Sequence, residues 1–197
     1  MKFLRDWGIF ILILALYFLS RIFLWAPVIV SGPSMDPTLA DGQRLILLKT
    51  ERLERFDIVV AEETDDNGDK KDIIKRIVGL PGDKISYKDD TLTINGQKYD
   101  EPYLDDYKQK LRTEKLQKEY SFNSEFQEWA RETKYFTLDK DANSEFEVTV
   151  PEGQYYLLGD NRLISEDSRR IGSVNKKDIL GKVKFRVWPF KSIGTVS

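Results

Sequence analysis

Ser34 and Lys75 are the two residues whose types and settings suit covalent catalysis. Ser34 sits in Ser31-Gly32-Pro33-Ser34-Met35-Asp36-Pro37-Thr38-Leu39, where the prolines and glycine exclude a helix and most central strands. Pro33 fixes its own φ and pushes Gly32 toward extended geometry, so Ser34 is held on a stiff backbone, as a nucleophile requires. The same stretch also reads as a turn whose serine caps its own backbone. Lys75 sits in Asp72-Ile73-Ile74-Lys75-Arg76-Ile77-Val78, and strand period places it on one face with Ile73 and Ile77. It reads there either as an edge-strand gatekeeper or as a desolvated amine. The 197 residues contain no cysteine and no histidine, which excludes disulfides, thiolate nucleophiles, Cys-ligated zinc and a Ser-His-Asp triad. A serine nucleophile then needs another base. Lysine serves if burial lowers its pKa far below about 10.4. A drop of about three units corresponds to roughly 4 kcal/mol of disfavoured charge.

The elements that must hold these residues are short strands. After the Ser34 stretch Asp41-Gly42 marks a turn, and Leu45 to Leu48 and Asp57 to Ala61 then read as buried strands. Glu62 to Lys71 reads as a polar loop, and the Lys75 strand ends at Gly79-Leu80-Pro81-Gly82-Asp83. Ile85-Ser86-Tyr87 and Leu92-Thr93-Ile94 alternate around Asp89-Asp90, and Asn95-Gly96 marks a further turn, the pattern of a small meander. Phe146 to Val150 and Tyr155 to Leu158 read as strands that lead into Gly159-Asp160-Asn161-Arg162 and Ser165-Glu166-Asp167-Ser168-Arg169. Lys182 to Val187 alternates as a half-buried strand before Trp188-Pro189-Phe190. The expected fold is mainly β, with residues 105–143 as a peripheral, partly helical insertion. The formal net charge of -2 gives no electrostatic reason to expect nucleic acid.

Trp7 to Val30 is almost continuously apolar, and Trp7 to Trp25 as a helix would cover about 28 Å, close to a bilayer core. Residues 1–30 are therefore expected to be a single transmembrane anchor, with Lys2 and Arg5 favouring a cytoplasmic N-terminus. A cleavable signal peptide is the rival reading, but no good small-x-small site follows the apolar run.

Ser34 with its neighbours, Ile74-Lys75-Arg76-Ile77-Val78-Gly79-Leu80-Pro81-Gly82-Asp83, and Gly159 through Arg169 together resemble the ordered motif set of type I signal peptidases. The resemblance runs from the anchor to Trp188-Pro189-Phe190 and spares only the insertion. It implies a signal-peptidase-like β-core, no cofactor and no metal, with Ser34 as nucleophile and Lys75 as general base. Ser165 would orient the Lys75 amine, Asp167 and Arg169 would brace the loop as an ion pair, and Asp160 would belong to the same shell. It implies that an extended substrate lies beside the strands before Ser34 and Lys75, and that cleavage follows small-x-small sequences. Some members carry an oxyanion-donating serine where this chain has Gly32. The hole would then rest on the Ser34 N–H, with the Gly32 backbone or a water left open as the second donor. Gly32 and the single anchor resemble the Gram-positive bacterial branch.

The expected function is cleavage of signal peptides from secreted preproteins. The catalytic domain, residues 31–197, would sit on the extracytoplasmic face of the cell membrane, against the lipid bilayer. A Ser/Lys self-cleaving regulator lacks support because the chain has no DNA-binding segment. A non-catalytic anchored binding module would not need both Ser34 and Lys75. Ser173-Val174-Asn175-Lys176 matches the S-x-x-K of penicillin-recognising enzymes, but no Lys-Thr-Gly triplet accompanies it.

Overall fold

The structure is a computed structural model that describes residues 2–64, 67–121 and 123–196, apart from the side chains of residues 2–6 and 125. Its larger sheet sets β1 (Trp25–Ile29), β2 (Arg44–Leu48), β11 (Ile179–Trp188), β3 (Ile58–Thr64), β4 (Lys70–Gly79), β9 (Gln154–Leu158) and β10 (Val174–Asn175) side by side, with β12 (Gly194–Thr195) also on β11. A second sheet runs β7 (Gln97–Tyr99), β6 (Thr91–Ile94), β5 (Lys84–Lys88), β8 (Glu145–Thr149). Each strand pairing is antiparallel. The expected mainly β fold is present.

The meander follows from its turns. Asp89 and Asp90, then Asn95 and Gly96, all take positive φ, the conformation that lets a two-residue turn match strand twist. Their register puts Ile85 opposite Ile94 and Tyr87 opposite Leu92, so one face buries all four. The larger sheet buries Leu45, Leu47, Ile58, Val60 and Val183 together.

Three segments differ from the sequence reading. The polar stretch 62–71 is largely strand, because β3 and β4 stay paired through Glu62↔Asp72, Glu63↔Lys71 and Thr64↔Lys70. Lys70–Glu62 at 2.6 Å and Lys71–Glu63 at 3.3 Å lace these polar positions, so ladder bonds and opposite charges extend a hairpin that hydrophobicity alone does not mark. The apolar N-terminal run is not one element: helix α1 (Lys2–Phe23) stops, and Trp25–Ile29 joins the sheet against β2. Residues 25–29, expected to lie within the anchor, instead pair around Pro27 as an edge strand. Lys49 Nζ donates to the carbonyl oxygens of Ile22 at 2.9 Å and Arg21 at 3.3 Å, placing a cation at the carbonyl end of α1. Among the described residues no helix is long and apolar enough to cross a membrane. The Lys2 and Arg5 side chains, expected to set orientation, lie outside the described residues.

The insertion, expected to be peripheral, forms α2 (Asp105–Glu114) and α3 (Ser124–Glu132). Tyr107, Leu111, Tyr120, Phe126 and Phe136 bury against Leu163, so its apolar face packs on the loop that follows β9. Phe122, one of its expected aromatics, lies outside the described residues. Beneath it Arg162 pairs with Glu101 at 2.5 Å, with side chains 0% and 1% exposed. Arg162 also donates to Tyr87 Oη at 2.8 Å and to the Gly159 carbonyl oxygen at 3.0 Å. Burial pushes the Glu101 carboxyl up, but the Arg162 charge and its hydrogen bonds outweigh that and hold it below the usual range.

Removing one partner of such a buried pair costs about 3–5 kcal/mol. Glu101→Ala should therefore lower the melting temperature by on the order of 10 °C, at a few degrees per kcal/mol for a chain of this size. Lys84→Ala, which removes the exposed Lys84–Glu147 pair, should leave it nearly unchanged. Equal melting temperatures in thermal unfolding monitored by circular dichroism would contradict this ranking.

Candidate active site

Lys75 lies on β4 where that strand passes under the Ser34 loop. Its side chain is 4% exposed, and its Nζ donates to Ser34 Oγ at 3.1 Å. Ile77 is fully buried beside it and Ile73 half-buried, as the strand alternation requires. Desolvation pushes the Lys75 pKa below the usual amine value. The charges of Asp167 and Glu63 oppose that, and those of Arg169 and Lys71 add to it. The result is an amine that gives up its proton more readily than a free lysine, one hydrogen bond from a half-buried serine hydroxyl. Such a pair can move a proton from the hydroxyl to nitrogen.

Two buried ion pairs flank the amine. Arg76 points to the opposite face of β4 and grips Asp160 in a fork, Nε–Oδ1 at 2.9 Å and Nη2–Oδ2 at 2.7 Å, with the two side chains 2% and 0% exposed. Thr38 Oγ1 donates to the same Asp160 carboxylate at 2.5 Å, tying the Ser34 loop to it. Asp167 accepts both ends of the Arg169 fork at 2.8 Å and the Gly159 N–H at 3.0 Å. Arg169 Nη1 reaches the Leu138 carbonyl oxygen of the insertion at 2.8 Å. Burial pushes the Asp167 carboxyl up, and the Arg169 charge with the hydrogen bonds more than offsets that and holds it below the usual range.

Gly159 makes the convergence possible. A Cβ there would meet the Ser165 side chain and stand 2.6 Å from the Ser34 carbonyl oxygen; only a bare Cα lets the two loops approach. The Ser165 hydroxyl does not hold the amine as expected: it is buried, 4% exposed, and without a hydrogen-bond partner. Its side chain is turned against Gly159, while the amine's proton goes to Ser34. The Gly32 N–H is also committed, donating to Asp41 Oδ1 at 2.8 Å with φ at +81°. That removes the Gly32 N–H as a second oxyanion donor, because a positive-φ turn directs it onto its own loop.

Beside the pair runs a groove of about 640 Å³ lined by Pro27 to Val30, Ser34, Asp72 to Lys75 and Glu166. Its two long walls are open strand edges. Among the described residues β1 pairs only with β2, and β4 pairs with β9 only from Arg76 onward, leaving the Asp72–Ile74 stretch with one edge unpaired. An extended peptide can add there as a strand. Arg76, Thr38 and Asn161 belong to this constellation and escaped the sequence reading. Arg76 carried a signal: its alternation with Lys75 placed a charge on a buried face, which demands an acidic partner.

Residues 4–188 match the family described as signal peptidase, peptidase S26. Signal peptidase I of Streptococcus pneumoniae serotype 4 (strain ATCC BAA-334 / TIGR4) is 52% identical over 201 residues, covering 98% of this chain and 97% of that protein. Signal peptidase I of Bacillus caldolyticus is 41% identical across 95% of this chain and 92% of its own length. Signal peptidase IB of Staphylococcus aureus (strain Mu50 / ATCC 700699) is 38% identical across 96% and 92%. Matched along nearly its whole length, and with a serine and a buried amine meeting at the head of a peptide-wide groove, this chain belongs to the signal peptidase family, peptidase S26, and is a serine endopeptidase.

Proposed function

We propose that the chain cleaves signal peptides from secreted preproteins, with Ser34 as nucleophile and Lys75 as general base. The observation that carries this is the 3.1 Å contact between Lys75 Nζ and Ser34 Oγ at a lysine only 4% exposed. Neutral Lys75 takes the Ser34 proton as Oγ attacks the scissile carbonyl carbon, and the ammonium then returns that proton to the departing amine. A water, deprotonated by the same amine, attacks the acyl ester and frees Ser34. The Ser34 N–H is the oxyanion donor of this reading. Asp160 and Asp167–Arg169 hold the loops that carry the reacting groups, and Ser165 stands by the site with its hydroxyl unspent. The preprotein lies extended between the β1 and β4 edges, and small side chains flank the cut.

The same reading places the enzyme at the cell membrane, with α1 as its anchor, the N-terminus cytoplasmic, and the β-domain from Trp25 onward outside. Supporting it, α1 exposes Ile9, Phe10, Leu12, Ile13, Leu16 and Phe18. Trp188 and Phe190 are exposed on the β-domain, where aromatic rings suit a lipid interface.

Incubating the purified protein with a preprotein and sequencing the new N-terminus tests the function directly. Ser34→Ala should leave no cleavage. Lys75→Arg should be as inactive as Lys75→Ala, because arginine keeps its proton, and near-normal single-turnover rates in Lys75→Arg would remove Lys75 as base.

Because burial lowers the Lys75 pKa, wild-type cleavage should rise with pH as the amine loses its proton, then level off. The stability sign agrees: the penalty for burying the ammonium is fully present below the depressed folded-state pKa. It is relieved as pH climbs from there to the ordinary amine range. A rate that falls monotonically from pH 6 to 9 would contradict this.

Asp167→Asn removes a negative charge that raises the Lys75 pKa and leaves Arg169, which lowers it, unmatched. The rising limb of the pH profile should therefore move to lower pH while the melting temperature drops, by up to about 3–5 kcal/mol of stability. An unshifted limb would show that Asp167 acts on the fold alone.

A further inference from the structure

The insertion reaches the nucleophile loop through one buried hydroxyl. Tyr120, 3% exposed, donates from Oη to Asp36 Oδ2 at 3.2 Å, two residues beyond Ser34. Asn161 Nδ2 donates to the same Tyr120 Oη and to the Pro33 carbonyl oxygen at 3.3 Å. The Asn161 backbone N–H donates to the Ser34 carbonyl oxygen at 3.0 Å. Tyr120 thus stands where the loop before Ser34, the loop after it and the turn following β9 meet. Its ring is anchored in the insertion, tilted against Phe126 at 4.1 Å between centroids and edge-on to Tyr107 at 6.4 Å.

On the other side the Ser34 loop is held by Thr38 on Asp160, and the Leu39 N–H closes on the Met35 carbonyl oxygen at 2.9 Å. Those contacts fix the far end of the loop. Met35 packs into the core of the larger sheet, and among the described residues the hydrogen bonds that reach Pro33 to Asp36 from outside the loop come from Asn161, Tyr120 and Lys75. Lys75 is the reacting partner and cannot also be the sole clamp. An error of about 1 Å in placing a nucleophile can cost on the order of 100-fold in rate, so a clamp at this point bears on turnover. Neither Tyr120 nor Asn161 lines the groove.

We propose that Tyr120 is a positioning residue, through which the 105–143 insertion sets the attack geometry of Ser34 by holding Asp36 and Asn161. This rests on Ser34 being the nucleophile. The role given to the insertion is to complete the site from behind, and substrate binding stays with the strand edges.

The test is a double-mutant cycle on the full chain in detergent micelles, with a preprotein as substrate. Tyr120→Phe removes only the hydroxyl and should lower kcat at least 10-fold with KM within twofold, at a temperature where circular dichroism shows the variant folded. Asp36→Ala breaks the same bond from the half-buried loop and should give a similar loss, whether or not Tyr120→Phe folds. The double variant should be no slower than about twofold below Tyr120→Phe, since the Tyr120–Asp36 bond is lost in all three and the Asn161 bond to the Tyr120 hydroxyl is already lost in Tyr120→Phe. Asp36→Asn, which keeps an acceptor oxygen, should recover most of the Asp36→Ala loss. Overturning results are wild-type kcat in Tyr120→Phe or Asp36→Ala, a loss carried wholly in KM, or losses that multiply in the double variant. Active Ser34→Ala would instead defeat the nucleophile assignment, so the two failures are distinguishable.

Discussion

A lysine amine buried at 4% exposure beside a serine hydroxyl is the constraint on which the rest of this structure depends. Burying an ammonium is costly unless a carboxylate meets it, and the hydrogen bond that Lys75 donates goes to Ser34 instead. Two neighbouring carboxylates are committed to arginines. Asp160 is spent on Arg76, and Asp167 is spent on Arg169, each in a two-bonded fork. At Lys75 the Asp167 charge raises the pKa and the Arg169 charge lowers it, and desolvation, the largest influence, pushes it down. The two ion pairs thus serve as braces for the loops beside Lys75.

The braces are long-range. Arg76 and Asp160 are 84 residues apart, and Thr38 and Asp160 are 122 apart. Contacts of this separation form only after the sheets have brought β4 and β9 together. The register of β4 against β9, with Arg76 opposite Leu158 and Ile77 opposite Leu157, sets Gly159 and Asp160 at the strand end directly beside Lys75. From that corner the chain turns through Asn161 and Arg162, and Arg162 commits to Glu101 below. One short turn therefore ties the site to both sheets and to the insertion.

The same geometry opens the groove. β9 stops pairing at Leu158, so the Asp72–Ile74 edge is left for a peptide, and β1 supplies the facing edge. Had Trp25–Ile29 continued the N-terminal helix, as its apolar character suggested, one wall would be missing. Apolar content is shared by membrane helices and edge strands, and pairing with β2 is what distinguishes them here.

The residue types and local order were legible in the chain itself. The absence of cysteine and histidine narrowed the chemistry to serine with lysine, and proline and glycine marked a rigid Ser34 loop. Alternation put Lys75 among isoleucines, and paired turn residues marked the meander. These features are local, because backbone sterics and periodicity act over a few residues. Tertiary structure alone decided the partners: Arg76 with Asp160, the Gly32 N–H with Asp41, Ser165 against Gly159, and Tyr120 reaching Asp36. Periodicity states that a polar group will be buried, but which distant group satisfies it depends on sheet order and register. Those are fixed by packing the whole chain at once.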